Sequence, residues 1–354
     1  VGWDADQTRR DETRSQRQSS PTGRPVVDLD EQYRTTVERL AVFAQDEWDL
    51  DETLSVYAGV RWASLRTNTE GQGMVPVGNR SSVVSPVLQV LWKPAGIPGD
   101  QVRFAVSRTY KAPRAVDLIP RRFVAIDNTP TTPTLQGNPD LRPELAWGID
   151  AAFEHALPGR MGYVNVNASA RQIRDVILEQ LFLDKGAWVS SKTNAGSARL
   201  YGLEIESRLN LRAMWSESPD MDIRASVSRN WSSVEQVPGP DNRLDGQIPL
   251  GANLGLDWRL AQLPVTAGAS LAYRGTMRAR TSLTQTTASN ALSTLDLYVL
   301  WKLTPQAQMR FSIANALRPR DISTDTYGDA SGRFLQNTDA PSAPTLRLGI
   351  EMKL

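Results

Sequence analysis

One histidine in 354 residues sets the limit on acid–base chemistry. His155 could activate a hydroxyl nucleophile only if a serine and an orienting amide came to it, and Ser169 with Asn167 on the following segment are the candidates. Such a group would make an esterase working at a lipid-facing wall. The competing reading puts His155 at the end of an apolar stripe, beside a short turn, while Ser169 and Asn167 belong to the opposite, polar set. With Cys absent and His single, thiolate and multi-histidine metal sites are excluded within the chain, and no cofactor is expected. Lys plus Arg (40) balances Asp plus Glu (39), which removes the basic field of a nucleic-acid binder.

A second chemistry is anion recognition. The stretch Pro113–Glu144 holds Arg114, Asp117, Arg121, Arg122, Asp127 and Asn128. A guanidinium pairs with a carboxylate or another chelating oxyanion through two parallel hydrogen bonds, so Arg114, Arg121 and Arg122, with Asp127, are the candidate contacts to an anionic ligand. An adjacent arginine pair also reads as a solvated loop face. A later stretch supplies Arg318, Arg320, Asp321, Asp325, Tyr327, Asp329 and Arg333, suited to a polar solute or to lipopolysaccharide; Tyr327 is its candidate contact. A third set, including Arg61, Asp150, Glu154, Glu204, Glu206, Arg208, Arg224, Asp257, Arg259 and Arg274, recurs on one face of alternating segments. It reads as opposite charges paired across neighbouring strands in a wet lumen.

The elements that must carry these groups follow from period-two patterning. Leu54, Val56, Ala58, Val60 and Trp62 face away from Ser55, Tyr57, Gly59 and Arg61; Tyr201, Leu203 and Ile205 face away from Gly202, Glu204 and Glu206. This alternation predicts about fourteen strands, near 1–13, 33–50, 53–67, 81–94, 101–112, 145–157, 161–181, 187–211, 221–236, 247–261, 264–280, 293–304, 306–316 and 343–354. Connections alternate short and long. Short turns fall at Asp49–Thr53, Ala95–Asp100, Leu157–Arg160, Ala213–Asp220, Ala261–Pro264 and Thr304–Gln306; long polar loops fall near 14–32, 68–80, 113–144, 182–186, 237–246, 281–292 and 317–342. Many strands reach twelve residues or so, as tilted membrane strands require and sandwich strands do not. Trp48, Trp62, Trp92, Trp258, Tyr273 and Trp301 stand at the ends of the apolar stripes, where an interfacial girdle belongs. The reading is an all-β fold, a transmembrane antiparallel up-and-down β-barrel forming one domain over 1–354, with no leader peptide and no membrane-spanning helix expected.

Several segments, in order, resemble the C-terminal barrel of TonB-dependent receptors. They are Phe43-Ala44-Gln45-Asp46-Glu47-Trp48 with Tyr57–Arg61; Ser85-Pro86 leading to Phe104–Pro113; Asn138-Pro139-Asp140-Leu141-Arg142-Pro143-Glu144; Asn194–Ala198 with Gly202-Leu203-Glu204; Asp296-Leu297 with Ile313–Leu317; and Gly349, Met352 and Leu354 as a terminal assembly signal. The Asn-Pro-x-Leu-x-Pro-Glu element is the most specific of these. The resemblance implies part of a barrel that has twenty-two strands when complete, about fourteen of them here. It also implies an N-terminal plug, which this chain is expected to lack, and energy supplied by the TonB-ExbB-ExbD complex through that plug. The implied function is uptake of a scarce solute across the outer membrane of a Gram-negative bacterium, foremost a ferric siderophore or other metal chelate. Implied partners are outer-membrane lipid, lipopolysaccharide and the barrel-assembly machinery. Leu354 replaces the aromatic terminus usual in the family. The alternative functions are a passive fourteen-stranded channel or structural barrel, and the esterase built on His155.

Overall fold

Alternating sequence becomes, in the computed structural model, one antiparallel sheet of fourteen strands. The structure describes residues 1–19, 25–72, 74–97, 99–125 and 127–352. In chain order the first strands are β1 (Gly2–Ser19), β2 (Pro25–Asp49), β3 (Leu54–Gly71), β4 (Met74–Trp92) and β5 (Gln101–Lys111). Two short strands follow, β6 (Arg122–Phe123) and β7 (Thr134–Gln136), and then β8 (Glu144–Leu157) and β9 (Gly162–Arg174). A hairpin, β10 (Ile177–Asp184) and β11 (Ala187–Asn194), precedes β12 (Ser197–Asn210), β13 (Asp220–Val234), β14 (Leu250–Arg259) and β15 (Val265–Arg274). The remainder are β16 (Met277–Arg280), β17 (Gln285–Ser289), β18 (Leu292–Lys302), β19 (Ala307–Ala314), β20 (Arg320–Asp329), β21 (Gly332–Pro341) and β22 (Thr345–Met352).

The large sheet runs β1-β2-β3-β4-β5-β8-β9-β12-β13-β14-β15-β18-β19-β22, each strand pairing with its neighbour in sequence among the wall strands. The other eight strands form two four-stranded sheets, β10-β11-β7-β6 and β16-β17-β20-β21, both built from the long connections. Because successive connections of an antiparallel wall fall at alternate ends, and the small-sheet strands lie in the β5–β8, β9–β12, β15–β18 and β19–β22 connections, both small sheets lie at the same end of the wall. The short turns are locally specified. In the β2–β3 turn, Asp51 Oδ1 accepts from the Thr53 amide and hydroxyl (2.7 Å each) and from the Leu54 amide (2.9 Å), an Asx-type turn.

Burial is inverted relative to a water-soluble sheet. Leu254, Trp258, Val299, Trp301 and Phe311 are each more than 40% exposed, and all lie on one face with Leu203, Ile205 and Val227. A continuous apolar face of this extent is a membrane-facing surface. Trp48, Trp92, Trp258 and Trp301 stand on it beside the short turns, while Trp62, Trp147, Tyr201, Trp231 and Tyr273 stand at its other border. No helix among the described residues is long and apolar enough to cross a membrane, which says nothing against strands.

Several boundaries differ from those the alternation predicts. The segments 14–32 and 68–80, read as loops, are mostly strand: β1 and β2 pair from Gly2↔Phe43 to Gln18↔Val27, and β3 and β4 pair out to Gly71↔Met74. Their polar residues on both faces erase the two-period hydrophobic signal, although the backbone ladder persists. Conversely, the strands expected over 161–181 and 187–211 do not run straight. Asp175 (φ 55°) and Gly196 (φ 83°) turn the chain out of the wall, and β10 and β11 join a different sheet. The strand expected over 264–280 also breaks after Arg274, and β16 leaves for the second small sheet. The loops expected near 281–292 and 317–342 contain β17, β20 and β21.

Candidate functional site

The inner face of the wall is a polar, charge-bearing surface. Asp150 pairs with Arg171 (2.8 Å), and Arg171 lies flat because residue 148 is glycine: a Cβ there would sit 2.8 Å from its Nη1. Arg224 pairs with Asp257, which also accepts from the Tyr298 hydroxyl, and Arg310 stacks 4.6 Å from the Tyr298 ring centroid. Tyr298 crosses the intervening strand over Gly268, where a Cβ would approach its ring to 2.1 Å. Glu206 accepts from the Tyr163 hydroxyl (3.0 Å), Arg61 pairs with Asp4 (2.7 Å), and Arg208 stands opposite Tyr163 and Arg224. Glu204 and Arg103 lie on one row through Ala152 and Asn167, and neither forms an ion pair or side-chain hydrogen bond among the described residues. Glu204, Glu206, Arg224, Asp257 and Tyr298 line an open concavity of about 630 Å³.

Over this face, at the long-connection end, the loops fold upon one another. Arg121 is buried and forms an ion pair with Glu31; its guanidinium lies 5.0 Å from the Tyr33 ring and 4.8 Å from the Phe123 ring. Arg14 stacks on Phe123 as well, at 5.0 Å. Burial, and next the nearby Arg14 charge, pull the Arg121 guanidinium below its ordinary pKa. Since Glu31 and Tyr33 share the inward face of β2, these contacts seat the β5–β8 connection on the inner wall.

The Asn138–Glu144 element completes that seat. Asn79 of β4 donates to the Pro139 (2.6 Å) and Leu141 (2.9 Å) carbonyls, Leu141 is buried, and the Asp140 amide closes a turn on Asn138 Oδ1 (3.0 Å). Asn138 reaches the Lys192 carbonyl (2.9 Å), Asn194 exchanges hydrogen bonds with the Arg142 backbone (2.8 and 2.9 Å), and Arg142 pairs with Asp175 (2.6 Å). Asn128 likewise pairs both ways with the Trp188 backbone (2.8 and 2.6 Å). Below, Val176, Ala198, Val234 and Val237 form a small dry core. Asn79 escaped the sequence reading, since a lone asparagine in a polar strand carries no pattern.

The remaining candidates are held in the same loop assembly but not in one cluster. Arg114 forks onto Asp117 (both contacts 2.8 Å); burial works against the Asp117 charge, yet Arg114 and Lys192 outweigh it and hold its carboxyl below the usual range. Arg122 pairs with Asp184 and with Gln136 (2.8 Å), and Asp127 is exposed. Tyr327 is buried, edge-on to Trp188 (5.1 Å) and Phe334 (6.3 Å), so it joins the two small sheets. At the other end of the wall, His155 Nδ1 lies 2.8 Å from Asp100 in a short turn. By register His155 and Ser169 occupy opposite faces of the sheet, so they do not form a pair. Gly349 faces inward on β22 and Met352 outward; Leu354 lies outside the described residues.

An antiparallel wall, apolar outside and charged inside, with tight turns at one end and folded loops at the other, is the architecture of an outer-membrane-type barrel. The family described as TonB dependent receptor-like, beta-barrel matches residues 1–341, and the chain belongs to that family. Among solved structures it is similar to the copper transporter OprC (TM-score 0.68, 14% identity, 99% of this chain and 53% of that one). It is similar also to the ferric-catecholate import receptor Fiu of E. coli K12 (0.65, 11%, 98% and 51%) and to the ferric yersiniabactin uptake receptor FyuA of Yersinia pestis (0.64, 16%, 99% and 50%). The chain spans about half the length of these structures. No curated protein matches the sequence.

Proposed function

We propose that this chain supplies the wall and the ligand-catching loops of a receptor for TonB-dependent uptake of a scarce solute, a ferric siderophore or other metal chelate, across the outer membrane of a Gram-negative bacterium. The observation that carries the reading is the pairing of a charged inner face with loops folded over one end of it, within a family whose solved members include ferric-chelate receptors. In this reading Arg114, Arg122 and Asp127 meet the anionic ligand, and the buried Arg121 and Tyr327 hold the loops that present them. The unpaired charges on Glu204 and Arg103 face a plug through which the TonB-ExbB-ExbD complex would act. Gly349, Met352 and Leu354 act as the signal for the barrel-assembly machinery.

The test is uptake of radiolabelled ferric siderophores by iron-starved cells with and without the gene, in backgrounds with and without TonB. Accumulation that needs both is expected. Accumulation that persists without TonB would favour a passive channel, and ion conductance in planar bilayers would then be the confirming measurement.

A further inference from the structure

The two small sheets are fastened to the molecule in different ways. Around the first, β10-β11-β7-β6, Thr134, Val176, Val189 and Ser190 are buried, as are Leu118 and Ile119 of the β5–β8 connection. Its polar links join the amides of Asn79, Asn128, Asn138 and Asn194 to backbone groups at 2.6–2.9 Å. Gly137 packs so closely that a Cβ there would lie 2.0 Å from the Ile119 carbonyl oxygen. Breaking such contacts strands desolvated polar groups, which holds this part in its seat. The second sheet, β16-β17-β20-β21, has only Ala279 and Tyr327 buried among its described residues, and β21 is exposed everywhere except at Gln336. Its outer links lie at the surface: Arg278, 66% exposed, meets Asp241 (3.2 Å), and Arg280 Nη1 reaches the Pro238 and Gly239 carbonyls (3.4 and 3.3 Å). One backbone bond joins the Arg280 amide to the Asp241 carbonyl (2.6 Å), and Tyr327 stands edge-on to Trp188 (5.1 Å). A void of about 40 Å³ lies between Leu244–Gln247 and β16–β17, and the buried Gln247 Nε2 that lines it has no hydrogen-bond partner among the described residues. Exposed ion pairs and imperfect packing add little to hold a sheet in place.

Internally, the second sheet is continuous. β16 pairs with β17, β17 with β20, and β20 with β21 from Arg320↔Pro341 to Asp329↔Gly332. Asn290 clips β17 to β20 as well: its amide donates to the Ile322 carbonyl (3.1 Å) and its Oδ1 accepts from the Ile322 amide (2.8 Å). The chain passes between this sheet and the wall at four short crossings, 275–276, 290–291, 315–319 and 342–344, and in the third Asn315 (φ 56°) and Arg318 (φ 52°) are left-handed. The Arg274–Asp321 pair (2.8 Å) and the bond from the Ser342 amide to the Pro319 carbonyl (2.9 Å) lie on that same line, so both persist while the strands beyond it move. Firm internal pairing, weak outer contacts and a row of short joints at element ends are the makings of a hinged body. We propose that the second small sheet is a lid. It turns as one unit about the four crossings, parts Tyr327 from Trp188 to admit the solute and closes again, while the first sheet and the β5–β8 connection stay seated; the solute's part in this rests on the uptake reading above.

The chain contains no cysteine, so introduced thiols take a label only where they are placed. Lys185, Arg333 and Arg80 are exposed on the first sheet, the second sheet and the wall. Nitroxide pairs at K185C/R80C and R333C/R80C, measured by double electron–electron resonance in outer-membrane preparations, are expected to give one narrow distance for the first pair and two populations for the second. W188A should raise the open-to-closed ratio about two- to tenfold, the aromatic contact being worth roughly that factor. A single narrow distance in both pairs, two populations in both, or a ratio unmoved by W188A would each overturn the lid. If W188A disorders the first sheet, seen as broadening of K185C/R80C, Y327L replaces it with the same shift expected. In cells, bridging R278C/D241C with a short, reducible bis-thiol reagent should stop ferric-siderophore uptake until the bridge is reduced, while bridging R142C/D175C in the fixed part should leave uptake unchanged. Uptake that continues through the first bridge, or stops with both, counts against the lid. Cells that take up no ferric siderophore before bridging contradict the uptake reading instead, and the distances then decide the lid by themselves.

Discussion

At the scale of single residues, the inner wall depends on small side chains that make room for long ones. Gly268 lets Tyr298 lie across its strand to reach Asp257, so Gly268→Val is expected to displace the ring, break that hydrogen bond and cost about 1–3 kcal/mol in urea unfolding from lipid vesicles. Asn79→Ala removes the donor shared by the Pro139 and Leu141 carbonyls; limited proteolysis should then cut within 113–143 several-fold faster, with the wall strands still protected. Asp329 offers a pH test. Hydrogen bonds from Ser331 first, and then from Tyr327, hold its carboxyl down to about 2. A folded value below the unfolded one, near 3.9, means that its contribution to stability is present above about pH 4 and is lost as pH falls through about 2. Protection of the Ser331 and Gly332 amides, taken as exchange relative to the unfolded peptide at the same pH, should therefore hold at pH 4 and fall toward pH 2; loss of protection already at pH 4 would contradict the assignment.

At the scale of elements, what the sequence makes legible is what a membrane forces into it. Leu54–Trp62 and Tyr201–Leu209 alternate because one face meets lipid and the other meets polar groups, so the fourteen wall strands and the short turns between them could be read directly. The upper parts of β1 to β4 could not, because strands polar on both faces show no contrast. The β10–β11 hairpin was read as continuous with the wall because its residues keep extended patterning, and only the left-handed backbone at Asp175 and Gly196 redirects it. The candidate site was legible as types and not as places: Arg121 and Arg122 are adjacent in sequence, yet one is buried against Tyr33 and Glu31 while the other reaches Asp184. The two faces also predict opposite tolerances. An arginine at outward Leu254 should cost about 2–4 kcal/mol in folding from urea, while one at inward Ser270 should change stability little.

At the scale of the whole molecule, wall and loops are separate constructions with different rules. The wall is a ladder of sequential hairpins, so its contacts are set by neighbours in the chain. The loop end is woven from connections distant in sequence: β7 pairs parallel to β11, β17 pairs with β20, and Trp188 meets Tyr327 between the two small sheets. Trp188→Ala should therefore raise hydrogen exchange in both small sheets together, which mass spectrometry of the folded protein would show; acceleration confined to β10 and β11 would indicate that the sheets open independently. This weaving also restricts how recognition can be transplanted. A single loop moved to another barrel would arrive without the strand it pairs with. A chimera that carries the β5–β8 connection must carry β10 and β11 with it, and one that carries the last long loop must carry β16 and β17.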